Sequence, residues 1–202
     1  MFKICMIGGI ACGKSGRAQG IADFLCYRRA EMSDILRAKN DPEINAIMEA
    51  GQLVPDGKSI PAFISDLQKN GFQETVSSGF PRNVHQAREG WLYLSSNCAG
   101  GRLLVINIFR PMEECRVFHK LRKRPNDDFD FRWSLYEKEH PATVNFLRSK
   151  IGHRLVDFQA SDCIESDVRT LCENIAKLTM VGIPRRKRVL ISRHTKGIAL
   201  KA

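Results

Sequence analysis

The chain has 202 residues and a formal net charge of +10, with 32 Lys and Arg against 22 Asp and Glu. This length and 43% hydrophobic residues suit one α/β domain with a buried core. No apolar run approaches the ~20 residues of a membrane span, and no secretory signal opens the chain. Seven cysteines without a CxxC pair predict reduced thiols. We therefore expect a cytoplasmic monomer without a membrane partner, whose positive charge binds phosphate groups or nucleic acid.

Short β-rich apolar runs alternate with longer segments in which apolar residues recur every three or four positions. The runs predicted as strands are 4–7, 24–27, 74–77, 103–108 and 154–158. The segments predicted as helices include 59–69, 83–95, 112–121 and 132–149. This alternation predicts a five-stranded parallel sheet covered by helices on both faces, with ligands beyond the carboxyl ends of the strands. The pattern stops after about residue 181.

The segment GGIACGKS, residues 8–15, follows the first predicted strand and matches the pattern G-x-x-x-x-G-K-[ST]. Its glycines allow the backbone N–H groups to point inward at phosphate oxygens, and the next helix presents its positive end to them. Lys14 adds a positive charge, and Ser15 offers a hydroxyl to Mg²⁺. The alternative is a plain glycine-rich turn between a strand and a helix.

Arginines mark three further segments. Arg37, in SDILR, is predicted in the first turns of a short helix, and a second helix over 43–50 ends at Gly51. Arg82, in SGFPRNVHQ, follows a strand end and a glycine turn, where it could hold a phosphate with two hydrogen bonds. For Arg37 the alternative is a solvated surface residue.

The third segment, LRKRPNDDFDFRW, brings three arginines close to two carboxylates. Arg122, Arg124 and Arg132 lie around Asp127 and Asp128. The carboxylates could orient the arginines toward one point, although such charge runs are usually solvated. Several cations beyond a phosphate loop meet the needs of phosphoryl transfer, which depends on positive charge around the transferring oxygens.

These segments together resemble the adenylate kinase family of nucleoside monophosphate kinases, over about residues 3–180. The motifs GGIACGKS, SDILR, GQLVPDG, GFPRNVHQ and RPNDD…RWSLYEKEH occur in the family's order. The resemblance implies a P-loop NTPase three-layer α/β sandwich, with a five-stranded parallel sheet and a domain over 1–182. Within that domain it implies a helical monophosphate-binding insertion over 31–60 and a minimal lid over 122–130.

The resemblance also implies roles for individual residues. Lys14, Arg82, Arg124 and Arg132 would act on the transferring phosphoryl group, with Arg124 and Arg132 bridging both nucleotides. The donor ATP would contact Arg122 and the loop residues Gly8, Gly9, Ile10, Ala11, Cys12, Gly13, Lys14, Ser15 and Gly16. Mg²⁺ would be bound at Ser15. The acceptor monophosphate would contact Met32, Arg37, Leu53, Val54, Gly79, Arg82 and Gln86, in addition to Arg124 and Arg132.

The chain departs from the family pattern at several positions. Ser78 stands where the family has an Asp that helps to hold Mg²⁺ through water, which predicts weak Mg²⁺ retention. Met32 and Ser33 replace Thr-Gly, and Ser15, Gly16 and Arg17 replace Gly-Thr-Gln. A single lysine replaces the large lid between Arg122 and Arg124.

The favoured function is Mg²⁺-dependent phosphoryl transfer from ATP to a nucleoside monophosphate. AMP is the favoured acceptor because Gln86 is retained, while UMP and CMP stay open. The alternative is a weakly active or inactive kinase-like protein that binds nucleotide or RNA.

The last segment, 183–202, is a basic tail with RRKR at 185–188 and no acidic residue. It is either a disordered, solubilising end or an electrostatic contact for RNA or another polyanion.

Overall fold

A single parallel sheet organises the chain. The computed structural model describes residues 2–71, 74–97, 102–123 and 126–180. The strands are β1 (Phe2–Gly8), β2 (Arg28–Glu31), β3 (Thr75–Ser78), β4 (Arg102–Phe109) and β5 (Leu155–Gln159). Their spatial order is β2-β3-β1-β4-β5, with every neighbouring pair parallel. All carboxyl ends therefore meet at one edge, with β1 at the centre.

Helices connect the strands and cover the sheet. Their bounds are α1 (Lys14–Leu25), α2 (Met32–Arg37), α3 (Pro42–Glu49), α4 (Asp56–Lys69), α5 (Val84–Asn97), α6 (Met112–Leu121), α7 (Phe129–Ile151) and α8 (Ile164–Met180). A short 3₁₀ turn, Gly152–Arg154, precedes β5. The predicted three-layer α/β fold is confirmed.

Alternating residues of the central strands enter two separate cores. Ile4 and Met6 of β1 pack with α1, α8 and the start of α7. Cys5 and Ile7 pack with α2 to α5 and the end of α7. Because both faces are covered, β1 and β4 are apolar over most of their length, which is why the sequence pattern located them.

The predicted strand over 24–27 is wrong. Phe24 and Leu25 form the end of α1, and Cys26 caps the helix in the left-handed region, with φ 55°. The strand lies just beyond, in the polar segment Arg28–Glu31. This is an edge strand, so its residues need not be apolar, whereas the apolar run 24–27 is used by the helix end to pack on the core.

Other boundaries differ by a few residues. Helix α4 begins at Asp56, three residues before the prediction, and α7 begins at Phe129. Arg37 is the last residue of α2, not part of its first turns. The sequence analysis did not name helix α8. The basic tail lies outside the described residues.

A buried ion pair ties the start of α1 to the start of α8. Arg17, 1% exposed, donates from Nε to Asp167 Oδ2 at 2.7 Å, and its Nη2 also contacts that oxygen. Arg17 Nη2 donates to the Ser161 carbonyl at 2.6 Å, and Nη1 donates to the Gly13 carbonyl at 3.2 Å. The departure at Arg17 thus has a structural function, since it joins the glycine loop to the segment between β5 and α8.

Burial alone would raise the pKa of Asp167, but hydrogen bonds from Arg17 and Ser161 outweigh it and leave that pKa below its ordinary value. A carboxyl whose pKa is lowered on folding contributes stability above its unfolded pKa and loses it as pH falls through the folded value.

We predict that Asp167→Asn lowers the free energy of unfolding by about 3 kcal/mol at neutral pH, because it leaves Arg17 buried and unpaired. Denaturant titrations at neutral pH and below pH 4 measure this. The difference from the unmodified protein should shrink in acid, where Asp167 itself becomes protonated. Glu173→Gln, at an exposed carboxylate of α8, is the control and should have little effect. A pH-independent difference would contradict this account.

Candidate functional site

A cleft of about 770 Å³ opens at the carboxyl edge of the sheet. It lies between the glycine loop after β1, the helices α2 to α4, and the first half of α7. Many residues predicted for the site line it: Gly8, Ile10, Ala11, Lys14, Ser15, Arg37, Leu53, Val54, Gly79, Arg82, Gln86, Arg122 and Arg132. The fold therefore brings both predicted halves of the site into one cavity.

The glycine loop has the shape of a phosphate cradle. Gly13 is the N-cap of α1 with φ 85°, so the helix starts at Lys14 and its first N–H groups face the loop. Lys14 Nζ donates to the carbonyl oxygens of Gly8, at 2.9 Å, and Gly9, and it lies 3.5 Å from Cys12 Sγ. A Cβ at Gly8 would overlap the Ile108 carbonyl of β4. This close approach sets the loop directly at the end of the central strands.

Arg82 follows β3 at the opposite wall. Its Nε donates to the Gly79 carbonyl at 2.8 Å, which fixes the guanidinium plane. Burial and then the nearby Arg132 lower the pKa of Arg82 to about 10, with Glu31 acting in the opposite direction. Arg82 stays charged at neutral pH, so two guanidinium groups share a poorly solvated region that favours an anion.

Asp127 orients Arg132 and connects it to α6. The Arg132 guanidinium pairs with one carboxylate oxygen, and His119 Nε2 lies 3.0 Å from the other. Burial alone would raise the pKa of Asp127. The contacts with Arg132 and His119 lower that pKa by more than burial raises it, so the net shift is downward. Asp128 has a different use, since it caps α7 by accepting from the Phe131 N–H at 3.0 Å.

The side chain of Gln86, on α5, connects that helix to the start of α4. Its Nε2 donates to Asp56 Oδ1 at 2.7 Å and to Ser59 Oγ at 3.3 Å, and its Oε1 accepts from the Arg82 N–H at 2.8 Å. Asn83 also donates to Asp56. Gln86 is 4% exposed, so its amide first organises the wall beside Arg82.

The remaining acceptor-side residues differ in exposure. Arg37 is 58% exposed and pairs with Asp34 at 3.2 Å. Leu53 and Val54 line the cleft in the segment before α4. Met32 is buried in the core, where it packs beside Gly79, and it is not among the cleft-lining residues. Gly9, Cys12, Gly13 and Gly16 complete the loop behind the lining residues.

The described residues of the connection from α6 to α7, 122–123 and 126–128, include a contact with the end of α3. Asn126 Nδ2 donates to the Glu49 carbonyl at the end of α3, at 3.1 Å. Gly51 has φ 72°, and a Cβ there would overlap the Asn126 carbonyl. The described part of this short connection therefore contacts the opposite wall directly. Arg124 lies outside the described residues.

Sequence reasoning missed a polar chain behind the glycine loop. His140 Nε2 lies 2.8 Å from Asn107 Oδ1, and Asn107 Nδ2 donates to Asp157 at 2.8 Å. Burial and then Lys14 lower the pKa of His140 to about 4, so the ring is neutral at neutral pH. Tyr136 stacks against His140 and lies beside Gly9. The motif RWSLYEKEH includes Tyr136 and His140, but only the position of α7 in the fold shows that both residues line the cleft.

Sequence reasoning also missed Glu31, at the end of β2. Its carboxylate accepts a hydrogen bond from Ser78 and lines the cleft. No local motif marks it, because its partner is 47 residues away.

The described residues contain no cluster of three or more His, Cys, Asp or Glu side chains able to hold a metal ion by themselves. The cleft instead offers the Ser15 hydroxyl and scattered carboxylates. This oxygen-donor set fits Mg²⁺, which keeps much of its water and binds mainly to substrate phosphates.

Comparison with curated proteins agrees with this geometry. An adenylate kinase of Acidothermus cellulolyticus is 31% identical over 179 residues, which cover 83% of this chain and 77% of that protein. The chain belongs to the adenylate kinase family. Adenylate kinases of Nitratidesulfovibrio vulgaris, 38% identical over 72 residues, and Borrelia recurrentis, 24% over 211 residues, are also similar. They cover 35% and 87% of this chain, and 31% and 97% of their own lengths.

A scan against models of protein families found no match. In the part of the chain that the structure describes, no helix is both long and apolar enough to cross a bilayer.

We predict that Lys14→Ala weakens binding of a non-hydrolysable ATP analogue by at least about tenfold, the value of one charge-assisted hydrogen bond. Lys14 faces the loop rather than a core, so the melting temperature should stay close to that of the unmodified protein. Calorimetry and thermal melting measure the two effects. Lys150→Ala, at an exposed lysine of α7, is the control. Unchanged analogue affinity in the Lys14 variant would exclude the phosphate-loop role.

Proposed function

We propose that this protein catalyses reversible transfer of the γ-phosphoryl group of ATP to a nucleoside monophosphate, most readily AMP, in the cytoplasm. The bond from the γ-phosphorus to the bridging oxygen breaks, and an oxygen of the acceptor's phosphate forms the new bond. The products are ADP and a nucleoside diphosphate. The convergence of Lys14, Arg82 and Arg132 on one cleft supports this proposal most strongly.

On the donor side, the loop from Gly8 to Gly16 would bind the triphosphate. Lys14 Nζ is held at the loop by two backbone carbonyls. A bound phosphate would exchange these neutral hydrogen bonds for charge-assisted ones, which are roughly twice as strong. Arg122, at the end of α6, would lie against the donor nucleotide.

On the acceptor side, Arg82 and Arg37 would bind the monophosphate. Arg82 is already oriented by the Gly79 carbonyl, so little side-chain freedom is lost on binding. Leu53 and Val54 would contact the base. Both Nε2 hydrogens of Gln86 are used within the protein, so its amide would contact the base through the second lone pair of Oε1 or by exchanging one of its present hydrogen bonds.

Between the two nucleotides, Arg132 would contact the transferring group, together with Arg124. Asp127 keeps Arg132 in place without neutralising Arg82. Phosphoryl transfer needs positioned positive charge rather than covalent work by the protein, and these arginines provide it. Mg²⁺ bound with the triphosphate would neutralise charge on the phosphate oxygens, and Ser15 would be its protein ligand.

The alternative, a kinase-like protein that binds nucleotides without turnover, has one structural observation in its favour. The amide of Gln86 makes three hydrogen bonds within the protein. If these contacts prevent it from engaging a base, nucleotides would bind without productive alignment.

A coupled assay that follows ADP formation from ATP with AMP, UMP, CMP and GMP tests the proposal. We expect turnover with Mg²⁺, fastest with AMP. Saturable binding of ATP and AMP without turnover for any acceptor would favour the non-catalytic alternative.

We predict that Arg82→Ala weakens AMP binding about a hundredfold while ATP-analogue affinity changes little, because a charge-assisted two-point contact is lost. Separate calorimetric titrations with AMP and the analogue measure this. Arg88→Ala removes an exposed arginine of α5, the helix that follows Arg82, and should leave both affinities unchanged. Equal losses for both ligands in the Arg82 variant would contradict its assignment to the acceptor.

We also propose that residues 1–182 form the kinase domain and that the basic tail, 183–202, contacts RNA or another polyanion. The tail has seven Lys and Arg residues and no acid: Arg185, Arg186, Lys187, Arg188, Arg193, Lys196 and Lys201.

Truncation after Gly182 should lower RNA binding and flatten its salt dependence, since fewer counterions are released, and should leave kinase activity unchanged. Filter binding at two salt concentrations measures the first effect. An unchanged RNA affinity and salt slope would exclude a nucleic-acid arm. Lower activity or melting temperature without RNA would instead show that the tail is part of the folded domain.

A further inference from the structure

The carboxyl ends of three strands lie side by side beneath the glycine loop. The register pairs Glu31 of β2 with Ser78 of β3, and Ser78 with Met6 of β1, two residues before Gly8. Ser78 is 1% exposed and donates its hydroxyl hydrogen bond to the Glu31 carboxylate. The Glu31 side chain therefore reaches from the edge strand β2 to β3, and it lines the same cleft as Ser15.

Glu31 is a well-held carboxylate in a region dominated by cations. Its side chain is only 11% exposed, and Arg29 Nη2 lies 3.3 Å from Oε2. Its other oxygen, Oε1, faces Gly79, the residue whose carbonyl holds Arg82. A carboxylate at this position reduces the positive potential that would attract substrate phosphates. A binding role for Glu31 would offset that loss.

The other carboxylates that line the cleft are used differently. Asp56 accepts from Gln86 and Asn83. Asp34 is 58% exposed and lies between Arg29 and Arg37. Glu139 lies on α7, on the opposite side of the cleft from the strand ends. Among these carboxylates, Glu31 is the one at the end of a strand and in contact with Ser78, and it lines the same cleft as Ser15.

We propose that Glu31 positions the water shell of the Mg²⁺ ion that accompanies the bound triphosphate, with Ser78 holding its carboxylate in place. This inference rests on the proposed function. The hard, hydrated Mg²⁺ ion commonly uses one or two carboxylates besides phosphate oxygens, and Glu31 supplies one where the sequence motif has Ser78. Glu31 is a positioning residue, because it would act through water rather than touch the reacting atoms.

Manganese binding tests the proposal without relying on turnover. Full-length protein is titrated with Mn²⁺ in the presence of a non-hydrolysable ATP analogue, and free Mn²⁺ is followed by its paramagnetic resonance signal. Analogue affinity is measured in parallel with Mg²⁺ and with a chelator. We expect Glu31→Gln to weaken Mn²⁺ binding about tenfold or more, as for other residues that act on a metal through its outer shell. Analogue affinity without metal should not fall.

Two further variants sharpen the test. Glu139→Gln makes the same change in charge on the opposite wall and should leave Mn²⁺ affinity unchanged. The double variant Glu31→Ser with Ser78→Asp exchanges the carboxylate and hydroxyl between paired positions, and we expect it to restore most of the Mn²⁺ affinity. Ser78→Asp alone brings two carboxylates together, so we expect no such gain from it.

The contrary role for Glu31 is that of a counter-ion to Arg29 and Arg82. In that case Glu31→Gln would strengthen AMP and analogue binding equally with and without metal, and Mn²⁺ affinity would change less than twofold. That result, or equal loss in the Glu139 control, overturns the proposal. If the unmodified protein binds no analogue with either metal, the proposed function fails and this inference fails with it. Melting temperatures of all variants show whether each remains folded.

Discussion

Positive charge gathered at the carboxyl edge of the sheet is the constraint on which the site depends. Arg82 and Arg132 lie near each other in a region where burial already lowers the pKa of Arg82. Such an arrangement costs free energy in the absence of an anion, and the rest of the structure limits that cost. Asp127 pairs with Arg132, and Asp34 and Glu31 pair with cations on the opposite wall. Under the proposed function, a nucleotide phosphate would neutralise the positive charge that remains at Arg82 and Arg132.

The scaffold that holds this charge combines two kinds of contact. The apolar strands β1 and β4 fix the loop from below, since Gly8 approaches Ile108 so closely that a side chain would not fit. From the side, Arg17 joins the loop and α1 to Ser161 and Asp167. Lys14 thus follows a loop that is anchored at both ends, and under the proposed function this loop would need little reorganisation to bind a phosphate.

Sequence alone predicted the features that depend on local patterns. Central strands covered on both faces are mostly apolar, so β1 and β4 were located well. The glycine loop and GFPRNVHQ carry glycine and proline residues that mark their own turns. The edge strand β2 was placed too early because its residues, Arg28–Glu31, are polar, while the apolar residues before it end a helix. Glu31, His140 and Asn107 escaped notice because their roles arise from contacts between segments far apart in the chain.

The departures from the family pattern acquire a different meaning once their contacts are known. Ser78 lacks a carboxylate, yet it holds the one supplied by Glu31 from the neighbouring strand. Arg17 replaces an uncharged residue, and Asp167 neutralises it inside the protein. The short connection after α6 reaches Glu49 and Gly51 directly, so the cleft has a contact between its two walls despite the missing lid. For Ser78 and Arg17, the residue that differs from the family contacts a partner, Glu31 or Asp167, that lies outside the motifs. A motif position that looks lost in the sequence is therefore weak evidence for a lost activity, because the residue there can contact a polar or charged group from another segment of the chain.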